Sequence, residues 1–273
     1  MIEIPESINL AKQIEKTLSG KKIGKIIANS SPHGFAWYSG DPADYPRIFT
    51  GKTVEGAYAY GGKLHVRLSD DRELMFVDGI NIRYIENGKL PAKHQLLVEF
   101  HDNTHMVCTI SMYGGLFGYV GENTDGYDII ARTKPQVLSD DFSLDYFMNL
   151  PGGLNRAKYS VKAFLATEQR IPGLGNGVLQ DILFNAGIAP RRKLDTLEQG
   201  DLENLFHCVK DTIARMTDEG GRDVEKDIFG NPGGYKTVLS RLTYESPCRR
   251  CGGVIRKEAY MGGSVYYCTS CQS

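Results

Sequence analysis

The sequence predicts an α+β protein of several domains, and three observations lead to that fold class. A helical pattern opens the chain, and short β-prone runs broken by Gly, Asp and Asn then extend to about residue 132. Helical periodicity follows, and four cysteines crowd the C-terminus. The length of 273 residues exceeds that of one typical domain. We therefore expect an N-terminal two-sheet β-sandwich with one helix, a helical domain and a small C-terminal β-hairpin domain.

The boundaries follow from changes in this periodicity. Apolar residues recur at helical spacing over 8–18, and Gly20 ends the predicted helix. Alternating runs such as 63–68 and 106–110 predict the strands of the sandwich. A polar stretch at 133–143 predicts a linker. The predicted divisions are 1–132 (sandwich), 133–149 (linker), 150–231 (helical domain) and 232–273 (hairpin domain).

Composition excludes several classes of protein. The 32 Lys and Arg residues nearly balance the 33 Asp and Glu residues, which excludes the basic profile of a histone-like packager but leaves room for a local basic patch. No run of apolar residues approaches the length of a membrane span. The first residues contain neither a basic leader nor a hydrophobic stretch, so we expect no signal peptide and a cytoplasmic protein.

The C-terminal cysteines are spaced as Cys248-x2-Cys251-x16-Cys268-x2-Cys271. In a reducing compartment this spacing is typical of a tetrahedral zinc site, with one Cys-x2-Cys knuckle at each end of a hairpin. Four protein ligands leave no open position on the ion, so the predicted role of the zinc is structural. The alternative is two disulfides in a secreted protein.

A glycine-rich loop separates two predicted helices in the second half of the chain. The helices are predicted over 160–169 and 177–186, and the loop between them contains Gly173, Gly175 and Asn176. We expect Asn176 to cap the second helix, so that the loop amides and the positive end of that helix face an anion. A DNA phosphate is the natural candidate, although an ordinary interhelical turn would also explain the glycines.

Three stretches of the chain resemble, in order, the signatures of the formamidopyrimidine-DNA glycosylase/endonuclease VIII family of base-excision repair enzymes. The start, Met1–Glu6, is similar to the family's Met-Pro-Glu-Leu-Pro-Glu. The segment 170–184 is similar to its helix–two-turn–helix, and Gly233-Gly234-Tyr235 with the four cysteines is similar to its β-hairpin zinc finger. The resemblance spans the whole chain and implies the same three-part fold around DNA.

The resemblance also implies a covalent mechanism. Family enzymes flip the damaged nucleotide from the helix, and the amine of an N-terminal proline attacks the sugar to form a Schiff base. Here position 2 is Ile2, so the attacking amine would belong to Met1, if it is retained, or to Ile2. Glu3 matches the catalytic acid of the family, and Glu6 matches the second acidic position of the motif.

The resemblance further implies several DNA contacts. Lys63 matches a phosphate-binding lysine and is also a fallback imine former, and Asn176 with its loop amides matches the site beside the flipped nucleotide. Gly263 stands where related zinc fingers carry an arginine, so we expect the neighbouring Arg256 and Lys257 to substitute for it.

Phe117 is a candidate wedge against the orphaned base, and a buried strand residue is the equal alternative. The segments around it, 75–79 and 114–118, depart from the family's void-filling pattern.

The predicted function is that of a DNA glycosylase with AP lyase activity, acting on oxidised bases or abasic sites in double-stranded DNA. The expected protein is a monomer that binds no membrane and associates with the nucleoid when it acts. A non-catalytic protein that binds damaged DNA is the main alternative, favoured by Ile2 and Gly263. An RNA-binding relative that shares only the phosphate loop is the third possibility.

Overall fold

The computed structural model describes residues 1–273 and contains seven α-helices and nine β-strands. The helices are α1 (Ile4–Leu18), α2 (Tyr45–Phe49), α3 (Gly126–Thr133), α4 (Leu144–Asn149), α5 (Val161–Ala166), α6 (Asn176–Ala186) and α7 (Gln199–Asp218). The strands are β1 (Ile23–Ala28), β2 (Ala36–Trp37), β3 (Val54–Tyr60), β4 (Lys63–Leu68), β5 (Arg72–Ile85), β6 (Leu96–Phe100), β7 (His105–Val120), β8 (Ile255–Tyr260) and β9 (Gly263–Cys268).

Seven strands make up the N-terminal β-structure, in the order β1-β6-β7-β5-β4-β3, with β2 added to β7. The long strands β5 and β7 belong to both layers, and their pairing shifts register between Asp78 and Ile80. On one side of that irregularity β5 pairs with β4, and on the other side β7 pairs with β6. Side chains from both layers meet in one core of 25 buried residues, which confirms the predicted two-layer arrangement.

Helix α1 begins at Ile4, earlier than the predicted residue 8. Glu3 and Glu6 form a capping box there, and Pro5 lies in the first turn, where its missing N–H costs nothing. The N-terminal region also contains α2 and α3, which the sequence analysis did not predict. Both are short, so their hydrophobic periodicity is too brief to recognise.

The helices of the second half surround a separate core of 23 buried residues. Val137, Phe142 and Phe147 belong to this core, although they lie in the predicted linker 133–149. The stretch is mostly polar, so its sequence suggested a linker. These three apolar side chains are nevertheless buried in the core of the helical half, and the segment is therefore part of that half. Helices α6 and α7 pack against each other at the centre.

The C-terminal hairpin of β8 and β9 packs on the exposed end of this helical body. Phe184 of α6 joins Leu239, Cys248, Ile255 and Cys268 in a third, smaller core. The buried Asp181 carboxylate, also on α6, accepts hydrogen bonds from the backbone N–H groups of Val238 (2.9 Å) and Leu239 (2.8 Å). No helix combines the length and the apolar composition that crossing a bilayer requires.

Candidate nucleic-acid interface

A cleft of about 930 Å³ opens where the three parts of the molecule meet. The chain start and β5 form one wall, with Met1 and Asp78 in the lining. The loop before α6 forms the floor, with Gly173 and Asn176, and the tip of the β8–β9 hairpin forms the far wall, with Gly263 and Ser264. The cleft therefore collects residues that are as much as 263 positions apart in the sequence, from Met1 to Ser264.

Glu3 lies buried beside this cleft and joins the chain start to helix α6. Its two carboxylate oxygens accept hydrogen bonds from the backbone N–H groups of Gly177 and Val178, both at 2.8 Å. A carboxylate at a helix N-terminus satisfies two free donors and interacts favourably with the helix dipole. The predicted cap, Asn176, is instead the first residue of the helix, with Gly175 before it. The anion that this helix end binds in the protein alone is thus Glu3.

Burial raises the pKa of the Glu3 carboxyl, and the nearby Glu6 raises it further. The charge of Arg222 and the two backbone hydrogen bonds oppose this effect without cancelling it. The result is a carboxyl group that holds a proton at higher pH than an ordinary glutamate. Such a group is suited to donate a proton and then to take it back.

Arg222 is the cation that compensates the negative charge of the buried pair Glu3 and Glu6. Its Nε and Nη2 donate to Glu6 at 2.9 and 2.7 Å, and its Nη1 lies 3.4 Å from a Glu3 oxygen. Burial alone would raise the pKa of Glu6, but the charge and hydrogen bonds of Arg222 outweigh it, and the pKa falls below its usual value. The sequence analysis missed Arg222, because nothing near it in the sequence points to α1.

The first two residues are held differently from each other. The side chain of Ile2 is buried in the core of the β-sandwich, and its backbone N–H donates to the carbonyl of Asp78 at 2.6 Å. The terminal amine of Met1 forms an ion pair with Glu225 at 2.5 Å, and the Met1 side chain lines the cleft. The amine nearest the cleft in this structure is therefore that of Met1, and it is paired with a carboxylate.

The glycine-rich loop packs closely on the β3–β4 hairpin, with the backbone of Gly173 and the side chain of Pro172 against Gly61. A Cβ on Gly173 would lie 2.2 Å from the carbonyl carbon of Gly61, and the φ of Gly173 is +77°. The Gly173 carbonyl also accepts a hydrogen bond from the Ile4 N–H at 3.2 Å. Gly175 is equally confined, since its Cβ would lie 2.6 Å from the Glu3 carboxyl carbon. The two glycines allow the loop to approach the N-terminal half of the molecule closely.

Asn176 connects the loop to the hairpin of β8 and β9. Its Nδ2 donates to the Ser264 carbonyl at 2.8 Å, and a Cβ on Gly263 would lie 3.3 Å from the same nitrogen. Asn176 Oδ1 is buried and has no hydrogen-bond partner. An unpaired buried polar atom at the cleft floor favours a role in binding a ligand there.

Lys63 is buried at the start of β4, next to the hairpin turn that touches Gly173, and is not part of the cleft lining. Burial lowers the pKa of its ammonium group, against the opposing charges of Asp128, Asp125 and Asp78. Asp128 is itself held by His65, whose Nε2 lies 3.1 Å from Asp128 Oδ1 while Nδ1 lies 3.0 Å from Glu73.

The remaining predicted contacts lie away from the cleft. Phe117 is half-buried on β7 next to Tyr119, and Arg256 and Lys257 are exposed on β8, outside the cleft lining. The apolar side chain that β7 presents at the cleft is Met112, which is 66% exposed. The bend of β5 and β7 decides which of their residues reach the cleft, and period-two alternation does not reveal that bend.

The four C-terminal cysteine sulfurs lie within 4.8 Å of one another. Cys251 and Cys268 are 3.5 Å apart and Cys248 and Cys271 are 3.8 Å apart, too far for a disulfide bond. These separations are close to the roughly 3.8 Å between ligands of a tetrahedral thiolate site with metal–sulfur bonds of about 2.3 Å. Cys248, Cys251, Cys268 and Cys271 therefore form a group that can hold one metal ion.

Comparison with known proteins gives consistent results for sequence and fold. The chain is 25% identical over 283 aligned residues to the formamidopyrimidine-DNA glycosylase of Lactobacillus johnsonii, covering 100% of this chain and 99% of the relative. The Enterococcus faecalis protein of the same name is 24% identical, with 100% and 97% covered. No protein-family model matches the chain.

Solved structures share the fold. Lactococcus lactis Fpg in complex with DNA containing an abasic site superposes with a TM-score of 0.84 at 20% identity, covering 99% of each chain. MutM (Fpg) from Thermus thermophilus superposes with a TM-score of 0.81 at 19% identity, covering 99% of this chain and 98% of the other. The relatives match from end to end, and the three sequence signatures lie around one cleft. The chain is therefore similar over its whole length to formamidopyrimidine-DNA glycosylases, in sequence and in fold.

Proposed function

We propose that this protein is a base-excision-repair DNA glycosylase with AP lyase activity, acting on oxidised bases or abasic sites in double-stranded DNA. The observation that carries the proposal is the buried Glu3 carboxyl, with its raised pKa, between the chain start and the loop before α6. The DNA complexes among the structurally similar proteins support the choice of ligand.

The proposed reaction begins with a neutral amine at the chain start. Its lone pair forms a bond to the sugar C1′ as the bond from C1′ to the base breaks, and the base leaves with that electron pair and takes up a proton. Glu3 protonates the ring oxygen as the sugar opens, which leaves an imine between the amine and C1′. Loss of a proton from C2′ then expels the 3′ phosphate and cleaves the strand.

The amine must lose a proton before it can attack. In the structure the Met1 amine is paired with Glu225, so substrate binding has to separate them. Removal of Met1 would place the amine of Ile2 against the Asp78 carbonyl, to which its N–H now donates. Lys63 is the third available amine, and its lowered pKa favours the neutral form. Glu6 keeps Glu3 in place through Arg222.

DNA contacts are assigned to the cleft floor and to the zinc-site hairpin. Asn176, with the backbone around Gly173 and Gly175, would bind a phosphate next to the extruded nucleotide. Lys63, Arg256 and Lys257 would add positive charge along the same strand, and Met112 replaces Phe117 as the candidate wedge because it is the exposed apolar side chain at the cleft.

The metal in the cysteine site is proposed to be one structural zinc ion, since four thiolates in this arrangement match its preferred coordination. It would fix the hairpin that carries Gly263 against Asn176. Metal analysis of the purified protein should find one zinc per chain, and Cys268→Ser should lower that content and weaken DNA binding together.

Borohydride trapping tests the enzymatic activity, because it reduces an imine to a stable covalent adduct. Duplex DNA with an abasic site or an oxidised base should give an adduct with the wild-type protein, and peptide mass spectrometry should locate it at Met1, Ile2 or Lys63. Glu3→Gln should reduce base release by about 10²- to 10⁴-fold and leave binding intact. Glu15→Gln, an exposed change on the same helix, is the matched control.

The second candidate is a non-catalytic protein that binds damaged DNA. Two observations favour it, namely the burial of Ile2 in the sandwich core and the pairing of the Met1 amine with Glu225. It predicts preferential binding of abasic DNA with neither adduct nor base release across a panel of lesions. That result with the wild-type protein would exclude the glycosylase.

A further inference from the structure

A group of three aromatic side chains lies beside Met112, the candidate wedge, and none of the three has a role in the proposed chemistry. It consists of Phe35, Trp37 and Tyr113, together with Met112, and we refer to these four residues as the aromatic platform. Phe35 is 63% exposed, Trp37 is 45% exposed and Met112 is 66% exposed. A cluster of large exposed apolar side chains is unusual on a soluble surface and marks a binding site more often than single exposed residues do.

The fold holds the platform in place through a short parallel strand pair. Strand β2 pairs with β7 so that Trp37 is opposite Gly115, and the Gly114 N–H donates to the Phe35 carbonyl at 3.0 Å. The rings of Trp37 and Tyr113 then meet with their centroids 5.9 Å apart and their planes tilted by 49°. The backbone pairing fixes where the rings lie, although their faces stay open to solvent.

The platform is continuous with the cleft. Met112 and Tyr113 line the cleft, and the Tyr113 O–H lies 3.9 Å from the Met1 sulfur. Trp37 extends this surface through its contact with Tyr113, and Phe35 lies two residues before it, next to the start of β2, with its ring against His33. A DNA strand that lies in the cleft would therefore pass next to these rings.

We propose that the aromatic platform is a binding site for an unpaired nucleobase of the DNA that occupies the cleft. This inference rests on the proposed function, since it takes the cleft as the DNA site. Aromatic side chains stack on any base because every base has an open π face, whereas a paired base keeps its faces covered by its neighbours. The platform thus selects DNA in which unpaired nucleotides adjoin the lesion.

The chain contains a single tryptophan, Trp37, so its intrinsic fluorescence reports on the platform without a label. Three DNAs of equal length are compared: a duplex with an abasic analogue, the same duplex with unpaired bases next to the analogue, and a single strand carrying it. We expect base stacking to quench Trp37 emission most strongly with the two DNAs whose bases next to the lesion, on the same strand, are unpaired. Fluorescence anisotropy of labelled DNA measures binding in parallel.

The variants separate stacking from general binding. Phe35→Ala and Trp37→Ala should lower the affinity for DNA with unpaired bases next to the lesion about 5- to 100-fold. They should change the affinity for the abasic duplex whose flanking bases are all paired much less. Trp37→Phe should restore most of the loss. Phe229→Ala is the matched control, since Phe229 is 52% exposed but contacts Tyr84 near the other end of β7.

The outcomes distinguish this inference from the proposed function. If the protein binds abasic DNA but Trp37 emission is unchanged and Phe35→Ala and Trp37→Ala match Phe229→Ala, the platform is not a base site while the DNA-binding function stands. If none of the DNAs binds, the proposed function itself fails. If sedimentation shows a dimer that Trp37→Ala dissociates, the platform is an interface between copies of this chain and the inference is overturned.

Discussion

At the scale of single residues, the buried contact between Glu3 and Arg222 holds the Glu3 carboxylate in place beside the cleft. The Glu3 carboxylate caps α6 while it belongs to the first turn of α1, and Arg222 compensates both Glu3 and Glu6 in a site without solvent. Buried charges of this kind add little net stability as a set, but removing one partner leaves the others uncompensated. The value of the arrangement lies in the position it gives to Glu3.

Replacing Arg222 by methionine should destabilise the protein by about 3–5 kcal/mol, because two buried carboxylates lose their cation. Arg215→Met, which breaks an exposed pair with Glu219, should cost less than about 1 kcal/mol. Urea unfolding of both variants measures the difference. If both variants lost the same free energy of unfolding, Arg222 would contribute no more to stability than a surface arginine.

The pH dependence of this pair has a definite sign. The pKa of Glu6 is lowered in the folded protein, so the pair contributes stability above the ordinary glutamate pKa of 4.5 and loses it as the pH falls through the folded value. Wild-type stability should therefore decrease on acidification below about pH 4.5. In the double variant Arg222→Met with Glu6→Gln, the free energy of unfolding should lack this part of its dependence on pH.

At the scale of secondary-structure elements, His65 connects helix α3 to the β-sheet. His65 on β4 is fully buried between Glu73 of β5 and Asp128 of α3, and Asp128 also contacts Arg132 at 2.9 Å. Burial lowers the pKa of His65, but the two carboxylates outweigh this and the pKa rises above its ordinary value. The His65 imidazole thus links two strands and a helix.

This link should weaken as the pH rises. A raised histidine pKa means that the stabilisation is complete below the unfolded value of 6.5 and is lost as the pH rises through the higher folded value. Hydrogen exchange of the α3 amides should therefore accelerate above about pH 6.5 beyond the intrinsic increase. His65→Gln should remove this extra dependence, and a retained dependence in that variant would assign it to another group.

At the scale of the whole molecule, the two halves meet through buried side chains and also through glycine backbone. Arg222 pairs with Glu3 and Glu6 across the junction, and Ile4 joins the core of the helical half. Gly173 lies so close to the Gly61–Gly62 turn that a Cβ on Gly173 would fall 2.2 Å from the carbonyl carbon of Gly61. We therefore expect this contact to influence the spacing of the halves at the cleft.

The variant Gly173→Ala should widen that spacing or destabilise the protein by more than about 2 kcal/mol. Gly153→Ala is the matched control, since Gly153 has nearly the same φ of +75° but no atom within 4 Å of the new Cβ. Their difference in unfolding free energy isolates the interdomain clash from backbone strain. Loss of abasic-DNA binding in Gly173→Ala alone would support the role of the spacing, and identical behaviour of the two variants would contradict it.

By itself, the sequence determined the elements with strong local signals: the cysteine pairs, the glycine-rich loop and the helix at the chain start. Their physical basis is short-range, because ligand spacing and helical periodicity involve residues a few positions apart. The tertiary structure alone decided that Glu3 rather than Asn176 caps α6, that Arg222 compensates Glu3, and that Met112 rather than Phe117 faces the cleft. Those relations depend on where distant segments of the chain meet and on how β5 and β7 bend. Neither the meeting of distant segments nor the bend of the strands produces a periodic pattern in the sequence.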